Sequence, residues 1–474
     1  MKELRLRVKI VTFFLLLLLA VLVIYAAYSV KTYGTRWFSN GRNVRVVADK
    51  DRVTPGRIYD ADGTLLRYTN SEGARVTTGS ELEQSALVHV LGDEQNQVSN
   101  GVEKFQARYL YGFDSGLGER LYNFVRGEKQ VGDNISLTID RALQSLIVKE
   151  FQTMPALAGK NGAAVVMDYK TGAVRALVSL PVFDPHNIPD SAFTDPRNPF
   201  FNRATQSVLP PGSTFKLITM AGALTWNEKA ASASYFCDGS LPLEQRVLKD
   251  YGGAIHNELS LTRALEVSCN NVFAKLALEM GDANLKAAAE AFGFNDNFLF
   301  ADMVVENSTY PDAKNLFERA TVGIGQSRLL ATPMHMCMIT AGIANEGKMM
   351  EPLLLKEVQG KTGAKRFTME PTLYRTALPA GTANFIKEAM LGVVKRGTGK
   401  TADVPGMQIA GKTGSAESFL GGKPVTHSWF VGFSAAEGKP YAVCVMVEAG
   451  GTGGRAAAPL AKKIFEYLKT KRYQ

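Results

Sequence analysis

Cysteine and histidine are scarce in this chain of 474 residues, with four of the first and five of the second. Cys237, Cys269, Cys337 and Cys444 lie far apart, and no Cys-x-x-Cys pair occurs. That rules out a dense disulfide framework and gives no zinc-type Cys/His spacing. Disulfides are permitted outside a membrane, yet buried free thiols are the plainer expectation. Blocks of like charge are absent too. The net charge of +9 is spread over 54 Lys and Arg against 45 Asp and Glu, with no Lys/Arg cluster of the kind that grips nucleic acid. A mildly basic surface suits anionic wall polymers or lipid head groups better. At 46% hydrophobic and 21% charged, the composition leaves no large disordered or fibrous part. No internal repeat is present.

Long apolar runs are missing everywhere except at the start. "IVTFFLLLLLAVLVIYAAYSV", Ile10 to Val30, would measure about 31 Å as a helix, which spans a bilayer. A cleaved signal peptide has a shorter apolar region of about 7–15 residues and a small-residue cleavage site, so an uncleaved anchor is expected. Lys2, Arg5, Arg7 and Lys9 precede the run, which keeps residues 1–9 cytoplasmic and places everything after Val30 outside.

Beyond the anchor, "RIYDADGTLLRYT" places Asp62-Gly63 between short apolar runs and predicts a β-hairpin. From Gly73 to Gly132, short strands mix with a helix-like "GLGERLYNFVRG", and no titratable constellation stands out. Residues 31–132 therefore read as a small β-rich stalk or docking module. A second regime starts near Asp133 and fills 133–474. "NISLTID" reads as its first strand, "RALQSLIVKEFQTM" as a helix, and "GAAVVMDYKTGAVRALVS" as two strands joined by a turn. Ser213 to about Gly347 is mostly helical in pattern. Strands return in "MQIAGKTGSAESF", "VTHSWFVGFSA" and "YAVCVMVEAG", before a last amphipathic helix, "APLAKKIFEYLKTK". Early strands, central helices and a late antiparallel meander predict an α+β fold with helices packed on a sheet.

Three short stretches carry chemistry. In "LPPGSTFK" a Pro-Gly turn leads into an apolar helix, so Ser213 sits at its start and Lys216 lies one turn on, on the same face. Unpaired N–H groups at such a start favour a developing oxyanion. Ser is also a common helix cap and Lys a common surface residue. In "EVSCNN", Ser268 and Asn270 flank Cys269 between two helical runs, where Ser and Asn are ordinary residues of a break. In "AGKTGSAE", Lys412, Thr413, Gly414 and Ser415 fall on a strand, and Gly414 lets another backbone approach. Each alone is weak, but the three together, in this order, are specific.

With those motifs the chain resembles the class B penicillin-binding proteins, single-pass D,D-transpeptidases that cross-link peptidoglycan. "PGRIYDADGTLL", "SLTIDRALQ", "NRATQSVLPPGSTFK", "GIGQSRLLATPMHMCMITAGIANEG" and "HSWFVGF" add to the likeness, which runs from about Arg57 to the C-terminus. The resemblance implies a penicillin-binding, β-lactamase-like domain at 133–474, with an antiparallel sheet and helices on both faces. It implies that Ser213 is the nucleophile, Lys216 its proton acceptor, and Ser268 and Asn270 a relay and a substrate-amide holder. Lys412 would tune Ser268 or position the substrate carboxylate, Thr413 would bind that carboxylate, and the N–H groups of Ser213 and Ser415 would form the oxyanion hole. The strand around Gly414 would pair with the extended stem peptide. β-Lactams would acylate the same serine, no metal or cofactor is called for, and a SEDS-type glycosyltransferase is the implied membrane partner. Ser415 departs from the more usual Thr, a mild change. Cys269 reads as a packing residue with a reactive thiol as the alternative, and His256 and His427 read as structural.

Other readings use the same motifs. A D,D-carboxypeptidase or β-lactamase would hydrolyse the acyl-enzyme, although no ExxxN element of class A lactamases is found and the anchor is out of place for a secreted lactamase. Residues 31–132 are too few for a glycosyltransferase domain. A β-lactam sensor would be expected to carry further membrane spans, and an inactive scaffold to lose Ser213, Lys216 or Lys412.

Overall fold

The structure, a computed structural model, describes residues 2–39, 53–94, 97–98, 101–113, 125–127, 129–244, 246–360 and 363–473. The chain opens with helix α1 (Lys2–Ser39). Within it Glu3–Val30 is long and apolar enough to cross a membrane, and nearly all of that segment is exposed, Ser29 being the buried exception. Most of "GLGERLYNFVRG" lies outside the described residues.

A six-stranded sheet follows, in the order Lys365–Thr368, Leu355–Gln359, Asn134–Leu137, Ile58–Tyr59, Leu65–Thr69, Arg75–Thr77. The expected hairpin is present, with Ile58 opposite Arg67 and Gly63 at φ 82° in the turn. The Asp60 carboxylate accepts the N–H groups of Asp62 and Thr64 at 3.0 and 2.7 Å, which closes that turn. "NISLTID" was expected to begin the main sheet, and here the structure differs. Ile135 pairs in parallel with Ile58, and Asn134–Leu137 also pairs with Leu355–Gln359. Ile58, Ile135, Leu137 and Val358 are all fully buried, so alternation commits this strand to the N-terminal sheet. Residue 133 is thus not a break between sheets.

Helix α2 (Arg141–Thr153) is capped by Asp140, whose side chain accepts the Leu143 N–H at 3.0 Å. The central sheet is built from β1 (Gly162–Asp168), β2 (Val174–Leu180), β3 (Ile409–Leu420), β4 (Lys423–Ser434) and β5 (Tyr441–Val447), in the antiparallel order β3-β4-β5-β1-β2. Both faces are buried, and alternation divides the strands between two cores. Ala163, Val165 and Met167 of β1 join one core, which holds helix α5 (Pro333–Ala344). Ala164 and Val166 join the other, which holds α2 and the last helix, α6 (Ala457–Thr470). This is the expected α+β arrangement with helices on both faces.

The helical middle of the chain contains α3 (Lys216–Trp226) and α4 (Asn270–Ala291), the latter interrupted at Gly281 with φ 73°. It is less helical than expected. Ser234–Cys237 pairs with Asn257–Ser260, and Ser240–Leu243 with Arg246–Lys249. Cys237, Leu243, Leu248 and Leu259 turn inward while Phe236 and Val247 face solvent. That period-2 division is a strand pattern too short to register against the helices on either side. All four cysteines are buried and free.

Phe430 of β4 is fully buried, and a side chain on Gly411 or Gly432 would collide with its ring at 2.5 and 2.9 Å. The two glycines therefore make the slot that the ring fills, beside the strand that carries the lysine motif. Phe430→Ala is expected to cost about 3–5 kcal/mol, read as a lowered urea-unfolding midpoint. A loss under about 1 kcal/mol would show that the slot collapses around the smaller residue.

Candidate active site

Ser213 lies in a single 3-10 turn, Gly212–Phe215, which runs directly into α3 at Lys216. It is therefore at a helix start as expected, but it does not cap the helix. Its hydroxyl makes no hydrogen bond among the described residues, and so is open to a ligand. The turn is fixed by backbone packing. Gly212 adopts φ 55° and donates to the Gly325 carbonyl at 2.9 Å. A Cβ on Gly325 would sit 1.9 Å from the Gly212 oxygen, so the "GIGQS" loop needs glycine at this contact.

The two lysines are fully buried and converge on Ser268. Lys216 Nζ donates to the Ser268 carbonyl at 2.6 Å, to Asn270 Oδ1 at 2.7 Å, and more weakly to Ser268 Oγ at 3.3 Å. Lys412 Nζ donates to Ser268 Oγ and to the Thr413 carbonyl, both at 2.8 Å. One hydroxyl thus joins the amines of two separate elements. Burial pushes the Lys216 amine from 10.5 down to about 8, with Cys269 and Asp250 pulling the other way. Burial, and then the neighbouring Lys216 charge, hold Lys412 well below its ordinary range. A group poised in this way can take and return a proton near neutral pH.

Ser268 earns its position through an unusual backbone. Its φ is +61°, which is rare for a residue with a side chain. The segment is tied from behind by Asp250, whose carboxylate accepts the Asn270 N–H and Asn271 Nδ2, the latter at 2.9 Å. Burial drives the Asp250 carboxyl up, but donors from Cys237, Asn270, Asn271 and Cys269 outweigh it and leave it below the usual range. Burial instead pushes the Cys269 thiol far up, so a reactive thiolate there is disfavoured and the packing role fits.

β3 brings the third motif. It is an edge strand of the central sheet, so its far side presents backbone groups towards the Ser213 turn. A Cβ on Gly414 would come within 2.9 Å of the Pro211 oxygen and 3.0 Å of Thr214 Cγ2, which is the close approach expected of that glycine. Thr413 Oγ1 shares a hydrogen bond of 2.7 Å with Thr398 Oγ1. Ser415 Oγ accepts the Gly453 N–H at 3.3 Å, and Gln326 Nε2 donates to the Ser415 carbonyl at the same distance. All eight expected residues therefore fall in this one region. Asp250, Thr398, Gln326 and Gly453 were missed. Gln326 lies in the "GIGQS" stretch and Thr398 is framed by glycines in "RGTGK", whereas Asp250 left no local signal. His427 is buried on β4 and accepts the Ala449 N–H through Nδ1 at 3.3 Å, away from the lysines.

Residues 162–466 match the family model described as the penicillin binding protein transpeptidase domain. The chain is 31% identical over 446 residues to the peptidoglycan D,D-transpeptidase PbpA of Mycolicibacterium smegmatis, covering 89% of this chain and 90% of that one. It is 32% identical to the peptidoglycan D,D-transpeptidase MrdA of Acinetobacter baumannii, over 77% of this chain and 59% of that longer protein. A solved structure of penicillin-binding protein A from M. tuberculosis, a ceftriaxone acyl-enzyme complex, is similar at a TM-score of 0.80 and 29% identity. It covers 89% of this chain and 100% of that one.

The contact between Gly414 and the serine turn makes a direct structural test. Gly414→Val keeps a strand-forming residue but forces the 212–215 turn off β3. We expect a loss of about 1–3 kcal/mol in thermal unfolding, and an unchanged melting temperature would mean that the two elements do not rest on each other.

Proposed function

The chain belongs to the penicillin-binding-protein transpeptidase family, and on that premise we propose that Ser213 is the acylated nucleophile of a peptidoglycan D,D-transpeptidase. The observation that carries the reading is the pair of buried lysines meeting at Ser268 beside a serine whose hydroxyl is unengaged. In its neutral form Lys216 takes the Ser213 proton while Oγ attacks the carbonyl between the two terminal D-alanines of a stem peptide. The C–O bond forms, the C–N bond breaks, and D-alanine departs as an amine carrying the returned proton. An amine of a neighbouring stem peptide then attacks the ester and restores Ser213.

The remaining roles follow from placement. Ser268 passes protons between Lys216 and Lys412 through the hydroxyl that both amines reach. Asn270 orients Lys216 and meets the substrate amide. Thr413, held by Thr398, receives the substrate carboxylate, and Lys412 supplies positive charge behind it. The free side of β3 at Gly414 and Ser415 pairs with the extended peptide, and the N–H groups of Ser213 and Ser415 receive the oxyanion. β-Lactams occupy the same place as covalent inhibitors.

For the remainder of the chain, residues 1–9 form the cytoplasmic tail and 10–30 the single anchor, which leaves the catalytic domain outside. The positive residues before the apolar run support that orientation. Residues 31–132 and 133–474 divide as docking module and transpeptidase domain along the chain, with one shared sheet joining them. A SEDS-type glycosyltransferase is the partner that would supply glycan strands at the membrane.

Ser213→Ala should abolish covalent labelling by fluorescent penicillin, and persistent labelling of the folded variant would sink the assignment. The wild-type adduct should persist, because turnover within seconds would indicate a lactamase. The depressed Lys216 amine sets the pH dependence. Below about pH 8 it is an ammonium and cannot accept the serine proton, so the second-order acylation rate should fall about tenfold per pH unit towards pH 6 and level off above 8. A flat profile over that interval would exclude Lys216 as the base.

A further inference from the structure

A buried carboxylate next to the site takes no part in the acyl transfer. Glu266, 1% exposed, ends the helix Leu261–Glu266 two residues before Ser268. Two guanidinium groups reach it. Arg396 Nη2 donates to its Oε1 and Arg396 Nε to its Oε2, the latter at 3.0 Å, while Arg263 Nη1 donates to Oε2 at 2.8 Å. Arg263 lies on the same helix one turn earlier, so its bond joins no second element. Arg396 ends a different helix, Ala380–Arg396, and its two-pronged grip ties the two helices together.

Main chain and side chain of Glu266 are held from the same place. Its carbonyl accepts the Thr398 N–H at 3.2 Å. A Cβ on Gly397 would lie 2.3 Å from that carbonyl oxygen, and one on Gly392 would lie 2.2 Å from Glu266 Oε1, so glycine at both positions lets the end of the helix close on this residue. From Glu266 two paths lead into the site. Along the chain, the Ser268 N–H donates to the Leu265 carbonyl at 3.1 Å and the Cys269 N–H to the Ala264 carbonyl at 2.9 Å, so the Ser268 turn continues the Glu266 helix. Across the fold, Thr398 Oγ1 shares its 2.7 Å hydrogen bond with Thr413 Oγ1, next to Lys412 on β3. Glu266 stands where the support of Ser268 meets the support of β3.

We propose that Glu266, gripped by the Arg396 fork, is a positioning residue that fixes the Ser268 turn against β3 and so keeps the Ser268 hydroxyl within reach of Lys412. A carboxylate held by two parallel N–H bonds has one favoured orientation, whereas a lysine ammonium in place of the guanidinium would let it turn. Burial also makes slippage costly, because a carboxylate that loses the fork is left with a single partner in a dry place. This role rests on the transpeptidase reading and adds to it the groups that keep the two lysines and Ser268 in register from outside the reacting set.

The test compares Arg396→Lys with Arg263→Lys in the full chain, because both guanidinium groups are about half exposed and either change keeps the positive charge. Rapid-mixing reaction with fluorescent penicillin separates the dissociation constant of the first complex from the acylation rate constant, and melting temperatures establish that each variant is folded in the assay. Arg396→Lys should lower the acylation rate constant about tenfold and leave the dissociation constant within about twofold, whereas Arg263→Lys should stay within about twofold of wild type in both. A merely structural ion pair would lower the melting temperature of Arg396→Lys and leave the folded enzyme acylating at the wild-type rate, which would overturn the proposal. Equal slowing in both variants, or a loss confined to the dissociation constant, would also count against it. Glu266→Gln keeps the shape of the side chain and should slow acylation at least as much as Arg396→Lys, so a folded Glu266→Gln with the wild-type rate constant would sink the idea independently. Wild-type protein that is never acylated would defeat the transpeptidase reading itself, and this role with it.

Discussion

Two buried amines sharing one serine hydroxyl are the constraint from which the rest of this site follows. Taking a lysine amine out of water favours its neutral form, and a second amine a few ångströms away favours it further. Lys216 and Lys412 come from a helix and a strand that are distant in sequence, and they meet only because Ser268 stands between them. Without that hydroxyl each amine would face a like charge with no acceptor between. The arrangement is costly, and the surrounding structure supplies the means to hold it. Ser268 is forced into a left-handed backbone conformation at roughly 1–3 kcal/mol, and Asp250 and the start of α4 hold it there.

That dependence explains which parts were legible in the sequence. Ser213 and both lysines sit in motifs whose residue types and order suffice to single them out, and the late strands and last helix announce themselves by period and turn residues. Asp250 gave no such sign. It lies in "KDYGG", far from any motif, and matters only because two pairs of short strands fold it under α4. Those strands were themselves hidden, since each is four residues long and only alternate side chains face the core. The same folding gathers Cys237, His256 and Cys269. With Asp250 between them, twelve, five and twelve residues separate these side chains in turn, so no close pair marks the cluster in the sequence.

The sheet to which Asn134–Leu137 belongs was hidden for a related reason. "NISLTID" has the right residues for a strand of either sheet, and propensity carries no information about partner choice. Pairing with Ile58–Tyr59 on one side and Leu355–Gln359 on the other decides the matter. The consequence is mechanical. A sheet that takes strands from before residue 78 and from 355–368 ties the N-terminal segment to the part of the chain that follows α5.

The serine turn, the Ser268 turn and β3 are each held by a different kind of contact. Glycine backbones lock the first, Asp250 and its neighbours lock the second, and the central sheet with its Phe430 slot fixes the third. No single interaction can shift all three together. The proton relay proposed for Ser268 runs through hydrogen bonds near 2.8 Å and would tolerate little relative drift, which three separate anchors prevent. The edge position of β3 is then a gain rather than a liability, because the free backbone that would otherwise invite misassembly is half covered by the serine turn. What remains is an edge strand beside the unengaged Ser213 hydroxyl, an arrangement that suits an extended peptide ending in a carboxylate.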